Sequence, residues 1–156
     1  TLILANEMLD AAKVKPKINP EAALKNGAAM DVWRKMIESQ GGDNNAPLPV
    51  AKEKFEVTAD ASGKLLSLDA LQVGVSAWRL GAGRQKQGDT LQLGAGIEIH
   101  AKPGDIVKKG QTILTLHTDE PARFDRAREV LDGAFTIGEE NSKVNQLPLI
   151  IERIEG

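Results

Sequence analysis

Gly94-Ala95-Gly96-Ile97-Glu98-Ile99-His100-Ala101-Lys102-Pro103-Gly104-Asp105-Ile106-Val107-Lys108-Lys109-Gly110-Gln111 sets short apolar runs between glycine and proline turns. Ile97–His100 and Val107 with its flanks read as strands. Gly94-Ala95-Gly96, Pro103-Gly104-Asp105 and Lys109-Gly110 read as the turns between them. Further strand candidates lie on either side, at Thr90–Leu93 and Thr112–His117. Upstream, Phe55, Val57 and Ala59 alternate with Glu56, Thr58 and Asp60, the period of a half-buried strand. Asp60-Ala61-Ser62-Gly63 is then a turn and Lys64–Ser67 the return strand, so strand, Gly-centred turn and strand occurs near 55–66 and again near 97–116.

Helices interrupt these strands. Ser67 is a candidate cap for a helix whose Leu68, Leu71, Val75 and Trp78 recur at heptad-like spacing. That helix stops at Gly81, where left-handed geometry costs least. Arg123 to about Leu131 reads as a charged helix, with Phe135–Ile137 and Leu147–Ile154 as closing strands. Helices mixed with mostly antiparallel strands predict an α+β fold.

Residues 1–45 have a different, purely helical texture. A first helix spans Leu2 to about Ala12, and a basic turn holding Lys13, Lys15, Pro16 and Lys17 follows. Asn19-Pro20 supplies an N-cap and a proline at the first helical position of a second helix, which stops at Asn26-Gly27. A third helix carries Ala29, Val32, Trp33, Met36 and Ile37 on one face, with Trp33 and Met36 read as core, and ends at Gly41-Gly42. Residues 42–49 form a polar, proline-containing linker, which predicts a boundary between 1–45 and 46–156. The abrupt apolar start at Leu2, Ile3 and Leu4 favours an element of a longer chain over a mature terminus capped by Thr1.

Composition removes several classes of function. The chain of 156 residues is 41% hydrophobic and 27% charged, ordinary for a soluble globular protein. A net charge of -2 gives no general attraction to nucleic acid or anionic lipid. With no cysteine there are no disulfides, zinc–thiolate sites or thiol catalysis, which fits a cytoplasmic protein. No apolar run approaches the ~20 residues of a membrane helix.

Two motifs carry a resemblance. One is Val73-Gly74-Val75-Ser76-Ala77-Trp78-Arg79-Leu80-Gly81-Ala82-Gly83-Arg84, and the other is the 94–111 stretch quoted above. In order, and with Ser39-Gln40-Gly41-Gly42-Asp43 upstream, they resemble the C-terminal part of thymidine and pyrimidine-nucleoside phosphorylases. The resemblance implies a pentosyltransferase parent that splits a pyrimidine nucleoside with inorganic phosphate, giving base and pentose 1-phosphate. It implies a homodimeric, two-lobed enzyme with no cofactor and no metal. Residues 1–45 then correspond to helices of its large α/β lobe, and 46–156 to an α/β-hammerhead-like C-terminal domain. The motifs that hold phosphate and pyrimidine in the family do not map onto this sequence, so no catalytic residue is expected in this chain. Its expected role is as scaffold and cleft closure.

The candidate flap is the turn from Gly81 to Thr90, with Gly81, Gly83, Arg84 and Lys86 as its working residues. Gly81, Gly83 and Gly88 loosen its backbone, and Arg84, Gln85, Lys86, Gln87 and Asp89 are all polar. Arg79, Arg84, Lys86 and Lys102 are the one basic group near glycine-rich backbone, and an anion suits them. The segment follows a helix instead of opening one, so the helix dipole has the wrong sign for an anion, and a plain helix cap stays the simpler reading. His100 and His117 read as partly buried strand histidines, with Glu98 facing the same way as His100. Two readings compete with the phosphorylase one. Residues 103–114 also look like half of a biotinyl or lipoyl carrier domain, but Leu116-His117-Thr118-Asp119-Glu120-Pro121 offers no lysine for the arm. A non-catalytic interaction module would also look like this.

Overall fold

The computed structural model describes residues 1–84, 86–144 and 148–154. The chain divides into two compact units, Thr1–Pro47 and Leu48–Gly156.

The first unit has three helices: α1 (Leu2–Ala11), α2 (Pro20–Lys25) and α3 (Ala28–Ser39). The Asn19 side chain accepts from the N–H groups of Glu21 (2.8 Å) and Ala22 (3.2 Å), which satisfies two donors that the first turn of α2 leaves open. Past the end of α3, Gly41 is left-handed (φ 81°) and the Gly42 N–H donates to the Ile37 carbonyl at 2.9 Å, a six-to-one closure. The expectation that Trp33 and Met36 are core is not met within this chain, since they are 46% and 45% exposed. Three short helices have too little facing surface to cover a tryptophan.

The second unit holds two three-stranded antiparallel sheets. Its strands are β1 (Glu53–Thr58), β2 (Gly63–Leu68), β3 (Gly96–Ile99), β4 (Ile106–Val107), β5 (Thr112–Thr118) and β6 (Phe135–Gly138). One sheet has the order β1-β5-β3 and the other β4-β2-β6. In the first, Phe55 and Ile97 stand opposite Leu116, and Val57 and Ile99 opposite Leu114. Residues directly opposite share a face, so this face is apolar. The other face carries Lys54 opposite His117, and Glu56 and Glu98 opposite Thr115. The core joins Leu114 and Leu116 of this sheet to Leu65 and Val107 of the other. Burying each such side chain contributes about 1.5–3 kcal/mol.

Helices α4 (Ala70–Ala77) and α5 (Arg123–Leu131) complete the unit. The Gln72 amide of α4 donates to the Val130 carbonyl (2.8 Å) and the Asp132 carbonyl (3.2 Å), meeting acceptors that the end of α5 leaves open. The α5 side chains meet the first sheet at Phe55, where the Phe124 ring lies 5.8 Å away and the Arg128 guanidinium 4.4 Å from the ring centre. Among the described residues no helix is long and apolar enough to cross a membrane.

Five expectations need correction. The strands flanking Asp60–Gly63 do not pair with each other, because β1 joins β5 and β2 joins β4 and β6. Ser67 does not cap α4: it lies in β2 with its hydroxyl 2.7 Å from that of Thr136, and Asp69 caps the helix by accepting from the Gln72 N–H at 2.9 Å. The buried side of α4 centres on Ser76, while Leu71 is 75% exposed. Thr90–Leu93 is not a strand, since no ladder neighbour reaches it and Gln92 is held individually instead. Of the expected closing strand, Leu147 lies outside the described residues and 148–154 form no regular element.

Among the described residues every buried apolar side chain lies between Ala59 and Ala134. A protein of residues 46–156 is therefore expected to unfold cooperatively without the first helices, as checked by thermal melts followed by circular dichroism. A gradual melt, with the longer chain still cooperative, would place indispensable contacts before residue 46.

Candidate functional site

The loop after α4 starts inside a distorted turn. Trp78–Ala82 form a π-helical turn in which Gly81 is buried and left-handed (φ 111°), as its position at the helix stop predicted. A Cβ on Gly81 would come within 2.9 Å of the Gln92 side chain, so glycine is required for space as well as for φ. Gly83 is half-buried, and Arg84 and Lys86 are exposed. The Lys86 N–H donates to the Asp89 carboxylate at 3.0 Å, closing the tip on itself. Gln85 lies outside the described residues.

Both feet of the loop are held. At the first, the Trp78 indole N–H donates to the Arg84 carbonyl at 3.0 Å. At the second, the Gln92 N–H donates to the Gly81 carbonyl at 3.1 Å. The Gln92 side chain accepts from the Asp119 N–H (2.8 Å) and the Thr118 hydroxyl (3.0 Å), and donates to Glu120 Oε1 (2.6 Å). A hydrogen bond from Arg123 (3.0 Å) to the same oxygen, reinforced by its charge and by Gln92, holds the Glu120 carboxyl below the usual value. Gln92 was not singled out in the sequence, because a glutamine in a polar stretch has no local signal.

Of the four basic residues, Arg79 is engaged by another element. Arg79 turns to α5, donating to the Arg126 carbonyl at 2.7 Å and lying 3.6 Å from Glu129. Lys102 opens a separate turn whose N–H donates to Asp105 at 2.8 Å. Arg84 and Lys86 are the two that the loop itself displays.

A second polar cluster stands on the outer face of the first sheet, beside a groove of about 340 Å³. Strand register places Glu98 diagonal to His117, and their Oε2 and Nε2 atoms are 3.3 Å apart. Glu98 Oε2 is also 3.9 Å from His100 Nε2, which is itself 2.7 Å from the Thr115 hydroxyl. The Glu98–His117 approach is a close contact without hydrogen-bond alignment. Glu98 therefore faces both histidines and not His100 alone. Among the described residues no group of three or more histidine and carboxylate side chains is suited to hold a metal ion. At the end of β5 the chain enters α5 through Asp119-Glu120-Pro121-Ala122, so a carrier-type hairpin with a modifiable lysine is not formed.

The family model described as the pyrimidine nucleoside phosphorylase C-terminal domain matches residues 65–138. The thymidine phosphorylase of Mycobacterium tuberculosis (strain H37Rv) is 44% identical over 154 residues, which is 99% of this chain and 35% of that protein. The chain belongs to the pyrimidine-nucleoside phosphorylase family. The pyrimidine-nucleoside phosphorylase of Staphylococcus haemolyticus is 37% identical over 76% of this chain and 28% of its own length. That of Staphylococcus epidermidis is 36% identical over 85% of this chain and 30% of its own. The chain thus spans about a third of the length of the curated relatives it matches and corresponds to a C-terminal portion. The phosphorylase C-terminal domain matched at 65–138 runs from within β2 to the end of β6, so it contains α4, the loop and its two feet, and the Glu98 cluster.

Proposed function

We propose that this chain is the part of a thymidine or pyrimidine-nucleoside phosphorylase that supports and closes the substrate cleft, while the catalytic groups come from elsewhere in the enzyme. The reaction is phosphorolysis of a pyrimidine nucleoside to base and pentose 1-phosphate. The observation that carries the reading is the 44% identity to a thymidine phosphorylase along 99% of the chain. The commitment of the Arg79 guanidinium to α5 agrees with a supporting role. The enzyme acts in the cytoplasm as a homodimer, on nucleoside and inorganic phosphate, without cofactor or nucleic acid.

Within this reading the loop from Gly81 to Thr90 is a flap at the cleft, and Gly81, Gly83, Arg84 and Lys86 are its working residues. Pinned feet aim such a loop, and an exposed guanidinium near its start attracts phosphate by a charge-assisted hydrogen bond. The test is Arg84→Ala in the full-length enzyme, with phosphorolysis measured at varied phosphate. Losing a bond to a charged group costs about 1.5 kcal/mol, so the phosphate KM is expected to rise about tenfold. Unchanged turnover together with unchanged phosphate dependence would remove Arg84 from the mechanism. Residues 1–156 alone are expected to release no base, and phosphate-dependent release above a mock purification would overturn the supporting role.

A further inference from the structure

We infer that Trp78 is the positioning residue for Arg84: its indole holds the loop backbone where the guanidinium can meet phosphate. The inference rests on the reading of the loop as a phosphate-facing flap.

Trp78 is the first residue of the π-helical turn and Arg84 stands six positions on, just past its end. Between them the chain kinks at left-handed Gly81. Indole N–H is a donor only, and here it donates to the Arg84 carbonyl at 3.0 Å. The ring also bears on Gly83. A Cβ at that position would lie 2.5 Å from Trp78 Cδ1, well inside contact distance, and 3.4 Å from Nε1. The pyrrole edge of the indole therefore rests directly on bare backbone, and glycine is what allows it to. Gly83 itself is extended (φ −133°, ψ 156°), so its side-chain-free character serves this contact and not its conformation.

The hold is selective. Among the described residues Lys86 is tied to Asp89 within the tip, and Gln92 fixes the far foot through Gly81, Thr118, Asp119 and Glu120. Arg84 is the cationic residue whose own carbonyl is fastened to the helix side of the loop. Trp78 is 39% exposed, so it is not a core side chain whose loss would unfold the domain. An aromatic ring that is two-fifths exposed, with its N–H directed to a loop carbonyl, is better explained by the loop than by the core.

The experiment uses the full-length enzyme with Trp78→Phe, which keeps a ring over Gly83 but removes the N–H. Gly83→Ala is the second variant, since it keeps the indole and displaces it. Phosphorolysis is measured against phosphate and against nucleoside, with melting temperature alongside. Both variants are expected to raise the phosphate KM about fivefold, the effect of losing one ordinary hydrogen bond. The expected kcat stays within about twofold, and the nucleoside KM and melting temperature stay near those of the parent. A purely structural role would instead lower the melting temperature and move both substrates together. If Arg84→Ala raises the phosphate KM while Trp78→Phe and Gly83→Ala leave it unchanged, Trp78 is not the positioning residue. If Arg84→Ala is silent as well, the flap reading fails and takes the positioning role with it. Should Trp78→Phe not fold, Gly83→Ala decides alone.

Discussion

Gly63→Ala is expected to lower the stability of the chain by about 3–5 kcal/mol, combining backbone strain and overpacking. Gly63 opens β2, the central strand of the second sheet, and its φ of 154° is one that side chains rarely adopt. An added Cβ would lie 2.1 Å from the Gly138 carbonyl oxygen and 3.1 Å from Ile137 Cγ2. The nearer atom is backbone, so rotating a side chain gives no relief. The strand must move away from β6, and the pairings Lys64–Gly138 and Leu65–Ile137 sit at that end of the ladder. Leu65 is fully buried, so the movement also opens the core. Gly110→Ala is the control: φ there is 83°, but nothing lies within 4 Å of the added carbon. Left-handed strain alone costs about 1–2 kcal/mol. Urea unfolding of both variants separates the two terms. Equal midpoints for the two would mean that β2 and β6 do not approach as closely as described.

What could be read from the sequence was whatever is decided within a few residues. Asn19-Pro20 opens a helix because the cap needs only the next two or three N–H groups. Gly81 ends one because the left-handed residue is needed at that point and nowhere else. Arg123–Leu131 is helical as expected, with its charges outward and Ala127 and Leu131 buried. Pairing is another matter. Asp60–Gly63 does turn the chain, but the chain that leaves the turn enters the other sheet. The partner of β1 is β5, with Glu53 opposite Thr118, and only the tertiary core selects that register. Ser67 and Asp69 are both good caps by type. The choice between them was made by Thr136, a residue far along the chain that takes the Ser67 hydroxyl.

The candidate site divides along the same line. Its glycines and its cationic tip were legible because flexibility and charge belong to residues singly. The feet that hold it were not, since they depend on which side chains meet across folded distances. The Trp78 bond spans six residues, yet in the sequence Trp78 belongs to an apolar helix stripe. Glu98 was seen beside His100, its neighbour along the strand, while His117 came into range only through the β3–β5 register.

Thr118→Val should cost roughly 2–3 kcal/mol, because it strips the polar hub on which the second foot of the loop stands. The Thr118 side chain is fully buried at the end of β5. Its hydroxyl lies 2.8 Å from the Leu80 carbonyl and 3.0 Å from Gln92 Oε1, and it accepts from the Glu120 N–H at 3.2 Å. A hydroxyl has one proton, so the two acceptors share it. Valine has the same shape and nothing to offer any of the three. The Glu120 N–H loses its acceptor, and the Leu80 carbonyl loses a donor at a place water does not reach. Gln92 Oε1 keeps the Asp119 N–H and is the least affected. Thr118→Ser isolates the polar part, since it keeps the hydroxyl and removes one methyl worth about 0.8 kcal/mol. The expected order of stability in urea is parent, serine, valine, with the larger step at valine. In the full-length enzyme the valine variant is also expected to raise the phosphate KM, because a second foot that has lost one of its bonds holds the loop, and with it Arg84, less firmly. If valine were tolerated as well as serine, the hydroxyl would be filling space there. The second foot would then rest on Gln92 and Asp119 alone.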